Sequence, residues 1–466
     1  MIGYSVYYFV RKNFSFAIPS LSAEYGITKS SFGILMTLIG LIYGVSKLLN
    51  GVLADRVNAR IHMTVGLLAC TILNFIFGWG AGISTALTGS SSGAGFVNTM
   101  VILFAVLLIL NNIFQGCGCP PCNRLLTHWV PPSELAGKMS LWNVAHSLGG
   151  SLVAILCGFI LTKSGMDMSG NPEIVSGIAA NLNADMDNPS DAARVLNAAA
   201  HYGAWRWCFW IPAMIGLAGV LFTFATLRDT PKSVGLPEIP GTETELDNDD
   251  SPAAFKAYIK KMVFRNPVVW IVAVADIFIY IIRYTIFDWG PTFLQESFAL
   301  NPQQSGYAIS AFEIGGIVGM LLCGWASDRL FHSQTQKVCA ISMVLTTVFT
   351  AIFAFLPSGT NAVLMTVIIA MIGLFLYGPQ ALVVVIAANH ATKKAASTAL
   401  GVIGFMSYLS SIVSGVVVGF MVDPVKGAGM DWKSIFYGMI AVAAISAILL
   451  LSIWNKSGDG YRHQKI

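Results

Sequence analysis

Four basic residues of this chain, Arg11, Lys12, Lys47 and Arg283, stand inside long apolar stretches and not in the segments between them. A charge at the centre of a bilayer costs at least ~2.5–3.5 kcal/mol, so such residues are functional candidates from the outset. Arg11 falls about ten residues, roughly 15 Å, from the start of its helix, and Arg283 about seventeen residues into its own. Two guanidiniums at matching depth suit an oxyanion, phosphate above all, because each planar fork grips two oxygens at once. The competing arrangement pairs the arginines with acids: Asp276 lies two turns from Arg283 on nearly the same face, and Glu313 falls within the next apolar stretch.

Other side chains at helical spacing extend this chemistry. Lys47 either adds positive potential to the same cavity or snorkels to the nearby interface. Lys12, next to Arg11, points some 100° away around the helix and is expected to pair within the bundle. His146 sits in Trp142-Asn143-Val-Ala-His146, with Asn143 one turn earlier on the same face. It is read either as a hydrogen-bonded packing residue or as a group that gains a proton when a dianion arrives. Tyr4 and Tyr8 precede Arg11, Tyr43 precedes Lys47 by one turn, and Tyr280 precedes Arg283 by three residues. Interfacial aromatic belts explain tyrosines near the membrane surface. Tyr8 and Tyr280 lie too deep for that and can donate hydrogen bonds to phosphate or sugar oxygens.

The elements that hold these residues follow from composition. Of the 466 residues, 55% are apolar and 11% charged. A soluble domain carries about 25% charge, so the chain belongs in a lipid bilayer. A net charge of +4 is too mild for a nucleic-acid binder. The eight cysteines read as small buried hydrophobes. Cys117-Gly-Cys119-Pro-Pro-Cys122 lacks the second knuckle of a metal site. No nucleophile elbow, Walker loop or HExxH pattern is present, so neither an enzyme nor a cofactor or metal is expected.

About twelve segments are long and apolar enough to cross, at roughly 1–22, 31–54, 61–81, 98–121, 139–163, 205–227, 266–294, 303–327, 337–356, 362–388, 395–422 and 434–454. This predicts an all-α membrane protein: an N-terminal six-helix half at 1–227, a charged linker at 228–265 and a C-terminal six-helix half at 266–466. With both termini inside, seventeen Lys/Arg fall in inner segments against six in outer ones, which favours that orientation. Met1 begins at the edge of an apolar run, which leaves room for a natural start upstream. Arg11 and Lys12 interrupt the run where a signal peptide needs an uncharged core. The longer outer segments around 82–98 and 164–204, rich in Gly/Ser and Asn/Asp, are expected to be flexible surface excursions.

An internal repeat relates the halves. Gly51-Val-Leu-Ala-Asp55-Arg56 recurs as Gly324-Trp-Ala-Ser-Asp328-Arg329 at an offset of 273, and Arg11 with Pro19 recurs as Arg283 with Pro291 at 272. Parallel repeats of this kind occur in transporters whose substrate sits at the midplane. Asp55, Arg56, Asp328 and Arg329, at helix ends, are expected to form charge pairs that gate the conformational change.

At these residues the chain resembles the organophosphate:phosphate antiporter family of the major facilitator superfamily. Tyr-Tyr-Phe-Val-Arg11-Lys-Asn-Phe, Tyr43-Gly-Val-Ser-Lys47, Phe114-Gln-Gly-Cys-Gly-Cys-Pro-Pro, Trp142-Asn-Val-Ala-His146, Arg228-Asp-Thr-Pro-Lys-Ser-Val-Gly-Leu-Pro237 and Arg283-Tyr-Thr-Ile-Phe-Asp-Trp289 match its motifs in order. The resemblance implies that Arg11 and Arg283 bind the phosphoryl group, and that Lys47, His146, Tyr8, Tyr43 and Tyr280 line the pocket. It implies a monomeric carrier in the cell inner membrane exchanging an organic phosphate, above all a hexose phosphate such as glucose 6-phosphate, for inorganic phosphate. The stretch Asn112–Trp129 is similar to a sugar-phosphate receptor branch that signals to a membrane kinase. Carriage of glycerol 3-phosphate or another small organic anion is the further alternative. Two departures stand out. Cys117 and Cys119 replace larger residues, which removes an aromatic wall, and Asp276 is unexpected in the seventh span, where it would neutralise Arg283 or bind a proton.

Overall fold

The computed structural model describes residues 1–54, 56–237, 257–332, 334–357, 359–391 and 395–456. In order, the helices are α1 (Ile2–Lys12), α2 (Phe14–Tyr25), α3 (Lys29–Ala54), α4 (Ala59–Gly78), α5 (Gly80–Thr88), α6 (Ala94–Gln115), α7 (Cys119–Trp129), α8 (Pro132–Lys163), α9 (Pro172–Leu182), α10 (Pro189–Ala200) and α11 (Trp207–Thr226). After the linker come α12 (Pro267–Phe298), α13 (Pro302–Arg329), α14 (Thr335–Ala354), α15 (Ala362–Ala391), α16 (Ala396–Ile412), α17 (Val418–Val422) and α18 (Trp432–Ser452). Among the described residues, eleven helical segments are long and apolar enough to span a membrane. The remaining expected span, 1–22, is α1 followed at once by α2. Ile61, Val65, Leu68 and Ile72 form an exposed apolar stripe at helical spacing along α4, as a lipid-facing surface requires. All eight cysteines are buried free thiols.

The break in the first span has a side-chain cause. Asn13 keeps helical dihedrals, φ −64° and ψ −29°, yet amides from neighbouring helices enter the helix ladder around it. Asn74 Nδ2 and Asn111 Nδ2 both donate to Val10 O, at 2.9 and 3.1 Å, and Gln115 Nε2 donates to Tyr7 O at 3.2 Å. Asn13 Nδ2 in turn donates to Asn74 Oδ1 at 2.8 Å and to Cys208 O at 2.9 Å. Buried amides left unmatched would each cost about 1–3 kcal/mol, so this network fixes the turn that carries Arg11.

Two compact units emerge. One comprises residues 1–243, 287–310 and 415–430; the other comprises 244–286, 311–414 and 431–466. In the first, α1 packs on α8 and α11, α4 on α11, and α3 on α6. A Cβ on Gly149 would stand 2.5 Å from Ser5 O, so only glycine lets α8 come this close to α1. The same unit includes the end of α12, tied by Lys12 Nζ–Asp288 Oδ1 and Lys29 Nζ–Glu296 Oε2 at 2.6 Å each. It also includes 415–430, where Ser30 N–H donates to Asp423 Oδ2 at 2.8 Å. In the second unit, α14 packs between α15 and α18, and Ser446 Oγ donates to Ala275 O at 3.1 Å.

The segments around 82–98 and 164–204 are not the flexible excursions expected from their composition. Thr88 and everything before it from Gly80 is helical, and α9 and α10 build a folded cap on the end of α2. Asn171 caps α9 by accepting from Glu173 N and Ile174 N, with Pro172 at its first turn. Ile178, Val195 and Ala199 then pack with Ala23 into a small core. The polar residues that looked like loop lie on the solvent faces of these short amphipathic helices.

Candidate functional site

In the first unit Arg11 is 8% exposed, and its Cζ lies 3.5 Å from the ring centroid of Tyr43 on α3 and 5.6 Å from that of Tyr8 on its own helix. Stacking on a ring face orients the guanidinium and is strengthened by the lack of water. Tyr8 lies 6.0 Å from the imidazole of His146 on α8, and Tyr4 stacks on Trp142 at 4.9 Å. His146 Nδ1 bonds to Asn143 O. A carbonyl can only accept, so Nδ1 carries the hydrogen and Nε2 is the nitrogen that can accept or gain a proton. Tyr8, Tyr43, Arg11 and His146 therefore form one group. Asn143 contributes its backbone carbonyl to it, and its half-buried side chain remains beside the histidine. Lys47 is half-buried one turn beyond Tyr43. Lys12 turns to Asp288, whose Oδ1 also accepts from Ser15 Oγ at 3.2 Å.

In the second unit Arg283, also 8% exposed, has different company. Its Nε donates to Tyr377 Oη at 3.0 Å, and its Nη2 lies 3.8 Å from Glu313 Oε1. Tyr377 Oη donates to the same Glu313 oxygen. The arginine Cζ is 4.7 Å from the Tyr377 ring and 5.9 Å from that of Tyr280. Gln380 Nε2 donates to Tyr280 Oη at 3.3 Å. The helix α13 makes room for the Tyr377 ring at Gly316, where a Cβ would stand 2.6 Å from it. A guanidinium carries its N–H donors in a planar fork, the geometry that a bidentate oxyanion matches.

Of the helix-end residues expected to gate, Asp55 lies outside the described residues, and Arg56, Asp328 and Arg329 are exposed at the ends of their segments. A lock is found elsewhere. Arg124 on α7 donates from Nη1 to Ala54 O at 2.8 Å and from Nη2 to Asp229 Oδ2 at 3.1 Å. Asp229 Oδ1 accepts from Ala59 N–H at 2.7 Å, and Trp129 Nε1 donates to Arg228 O at 3.0 Å. The Arg124–Asp229 pair thus ties α7 to the end of α3 through Ala54 O and to the start of α4 through Ala59 N–H. Charge pattern alone does not single out Arg124 and Asp229, which are 105 residues apart. Tyr377 and Gln380 were equally hidden, as polar residues in the apolar α15; Pro379 between them was the one visible irregularity.

Comparison with known proteins places this arrangement. Residues 1–415 match the family model described as Major Facilitator Superfamily. The chain is 32% identical over 464 residues to the glycerol-3-phosphate transporter of Bacillus subtilis (strain 168), covering 97% of this chain and 90% of that protein. It is 32% identical over 480 residues to a probable hexose phosphate transport protein of Chlamydia pneumoniae, covering 99% and 91%. It is 30% identical over 459 residues to the membrane sensor protein UhpC of Escherichia coli (strain K12), covering 97% and 90%. Among solved structures, a bacterial homologue of the human lysosomal transporter Spinster shares the fold at a TM-score of 0.67 with 14% identity, over 97% of this chain and 94% of that one. The chain is a multi-pass membrane protein of the Major Facilitator Superfamily, in its organophosphate:phosphate antiporter branch.

Proposed function

We infer that this protein exchanges an organic phosphate, a hexose phosphate foremost, for inorganic phosphate across the cell inner membrane, with both termini cytoplasmic. The observation that carries the reading is the pair of buried arginines at repeat-related positions, each beside the tyrosine three residues before it. Arg11 and Arg283 are the phosphoryl ligands, with Tyr8, Tyr43, Lys47, Asn143 and His146 as further substrate-binding residues of the first unit and Tyr280 of the second. Residues 1–227 and 266–466 are the two six-helix halves whose rocking gives alternating access. Exchange follows from electrostatics. Buried guanidiniums that lose their anion carry a large desolvation cost, so the carrier crosses readily only when occupied. The substrates named for the relatives from Bacillus subtilis and Chlamydia pneumoniae support an organophosphate cargo.

The test is uptake of labelled phosphate into proteoliposomes preloaded with phosphate. Saturable exchange, inhibited by external glucose 6-phosphate more strongly than by glycerol 3-phosphate, is expected. The likeness to a membrane sensor protein gives a second reading, a receptor that signals to a membrane kinase. Saturable binding of glucose 6-phosphate with no exchange would establish that reading instead.

A further inference from the structure

Asp276 has no part in the site as described, yet it is buried in the middle of a membrane-crossing helix, 2% exposed. It lies about 14 Å along α12 from Pro267 and about 10 Å, two turns, before Arg283 on nearly the same face. The 272-residue repeat that relates Arg11 to Arg283 relates Tyr4 to Asp276. The fold therefore accepts a neutral side chain at this position, and a carboxyl here is not demanded by packing.

Its hydrogen bonds indicate what it holds. Ser407 Oγ on α16 stands within hydrogen-bond reach of both Asp276 Oδ2 and Ile403 O, the latter at 2.7 Å. A serine hydroxyl has one hydrogen, and a backbone carbonyl can only accept. Ser407 Oγ donates to Asp276 Oδ2, a bond that suits the ionised carboxyl; once the carboxyl is protonated, the hydroxyl can turn back to Ile403 O in the manner usual for helical serine and accept from the acid. Asp276 Oδ1 has no hydrogen-bond partner among the described residues. The titratable or charged groups facing the carboxyl are Arg283 on its own helix and Cys339 on α14. Glu313 on α13 and Tyr377 on α15 both contact Arg283. Ser446 on α18 bonds to the neighbouring Ala275 O.

We propose that Asp276 is a proton-binding site of the carrier, loaded from solvent when a phosphate occupies Arg283 and emptied to solvent when that anion leaves. The proposal rests on the reading of Arg283 as a phosphate ligand. Its physics is linkage. While Arg283 is without its anion, its positive charge favours an ionised Asp276. A bound phosphate dianion cancels that potential, and a unit charge at about 10 Å with an effective dielectric of about 20 changes proton affinity by roughly tenfold. The proton binds and leaves as H⁺ exchanged with water, forming and breaking one O–H bond at the carboxyl, with no redox partner.

The test is titration calorimetry of the purified protein with glycerol 3-phosphate as probe, in two buffers of different ionisation enthalpy. It is run above about pH 7, where a phosphate monoester is already mostly dianionic and takes up few protons itself. The wild type is expected to take up a substantial fraction of a proton per probe bound, Asp276→Asn to take up markedly less while still binding, and Asp276→Glu to restore the uptake. Ser407→Ala, which removes the hydroxyl but not the carboxyl, is expected to retain uptake at a shifted pH. Binding with the same proton uptake in the wild type and in Asp276→Asn would overturn the proton site alone. Binding by the wild type with no uptake at any pH across neutrality would do the same. Failure of the wild type to bind glycerol 3-phosphate, glucose 6-phosphate or inorganic phosphate would overturn the phosphate site and the proton site together.

Discussion

Arg11 and Arg283 occupy the same place in the repeat, but their surroundings differ in kind. Arg11 lies against tyrosine faces, 3.5 Å from Tyr43. Arg283 is held in its plane by Tyr377 Oη and faces Glu313 Oε1 at 3.8 Å. An aromatic face stabilises a cation without offering an anion that a ligand must displace. A carboxylate at the edge of ion-pair range offers such an anion and competes with an incoming phosphate. On the proposed reading the two arginines would have different tasks: Arg11 would be oriented for the anion by ring faces, and Arg283 would exchange one anionic partner for another.

Replacing either arginine by lysine keeps the charge but removes the fork. Two charge-assisted hydrogen bonds at about 1.5 kcal/mol or more each give a loss of roughly 100-fold or greater in exchange for both Arg11→Lys and Arg283→Lys. Labelled phosphate exchange in proteoliposomes checks this. Near-normal exchange by either variant would remove that arginine from the site.

The difference between the two regions is sharpened by Glu313→Gln. With the competing carboxylate gone, Arg283 should hold phosphate more tightly and release it more slowly. The expected outcome is a fall of roughly tenfold in the KM for phosphate with a fall in kcat, the pattern of a lost ground-state competitor. A raised KM would instead make Glu313 a positioning residue that the loaded site still needs. In the other region the matching test is Tyr43→Leu, which removes the ring under Arg11. A desolvated cation–π contact is worth about 0.5–2 kcal/mol, so affinity should fall between about twofold and thirtyfold. Tyr43→Phe, which keeps the ring, should stay close to wild type. If Phe and Leu fail alike, the phenol oxygen matters and the stacking account is wrong.

How much of this was legible in sequence follows from what a one-dimensional pattern records. Apolar length marks spans, so the helices were readable. Charges in apolar runs are costly enough to stand out, which made Arg11, Arg283, Lys12 and Asp276 conspicuous before any coordinates. The break at Asn13 was not legible, because it depends on Asn74, Asn111 and Gln115 reaching Val10 O and Tyr7 O from other helices. Neither was the Arg124–Asp229 lock, since a pair so distant in sequence has no local signature. The cap was misread because Asn, Asp, Gly and Ser serve equally as loop residues and as helix caps. Only the spacing of Ile174, Ile178, Val195 and Ala199 distinguishes the two.

The smallest expected effect concerns a carboxyl of the first unit that lies away from both arginines. Glu24, at the end of α2 and beyond the expected span, accepts from Gly203 N–H at 2.8 Å and from Trp205 Nε1–H at 3.1 Å. These bonds and Arg206 favour its ionised form, but burial outweighs them and pushes the carboxyl up to about 8 from an ordinary 4.5. The folded state then binds the proton more tightly than the unfolded one. The stability it contributes is full below about pH 4.5, falls as pH rises towards about 8, and changes no further above that. Glu313 has an arginine within ion-pair range, whereas Glu24 is surrounded by the Gly203 and Trp205 N–H donors, the Tyr25 hydroxyl and the field of Arg206. Glu24→Gln should therefore remove the slope in the cap's stability between these limits. It should also add a constant cost of about 1 kcal/mol, because an amide cannot accept from both N–H groups. Hydrogen-exchange protection across 164–206, corrected for intrinsic rates at each pH, reads both effects. A slope that survives in Glu24→Gln would show that Glu24 is not the group that titrates in this window.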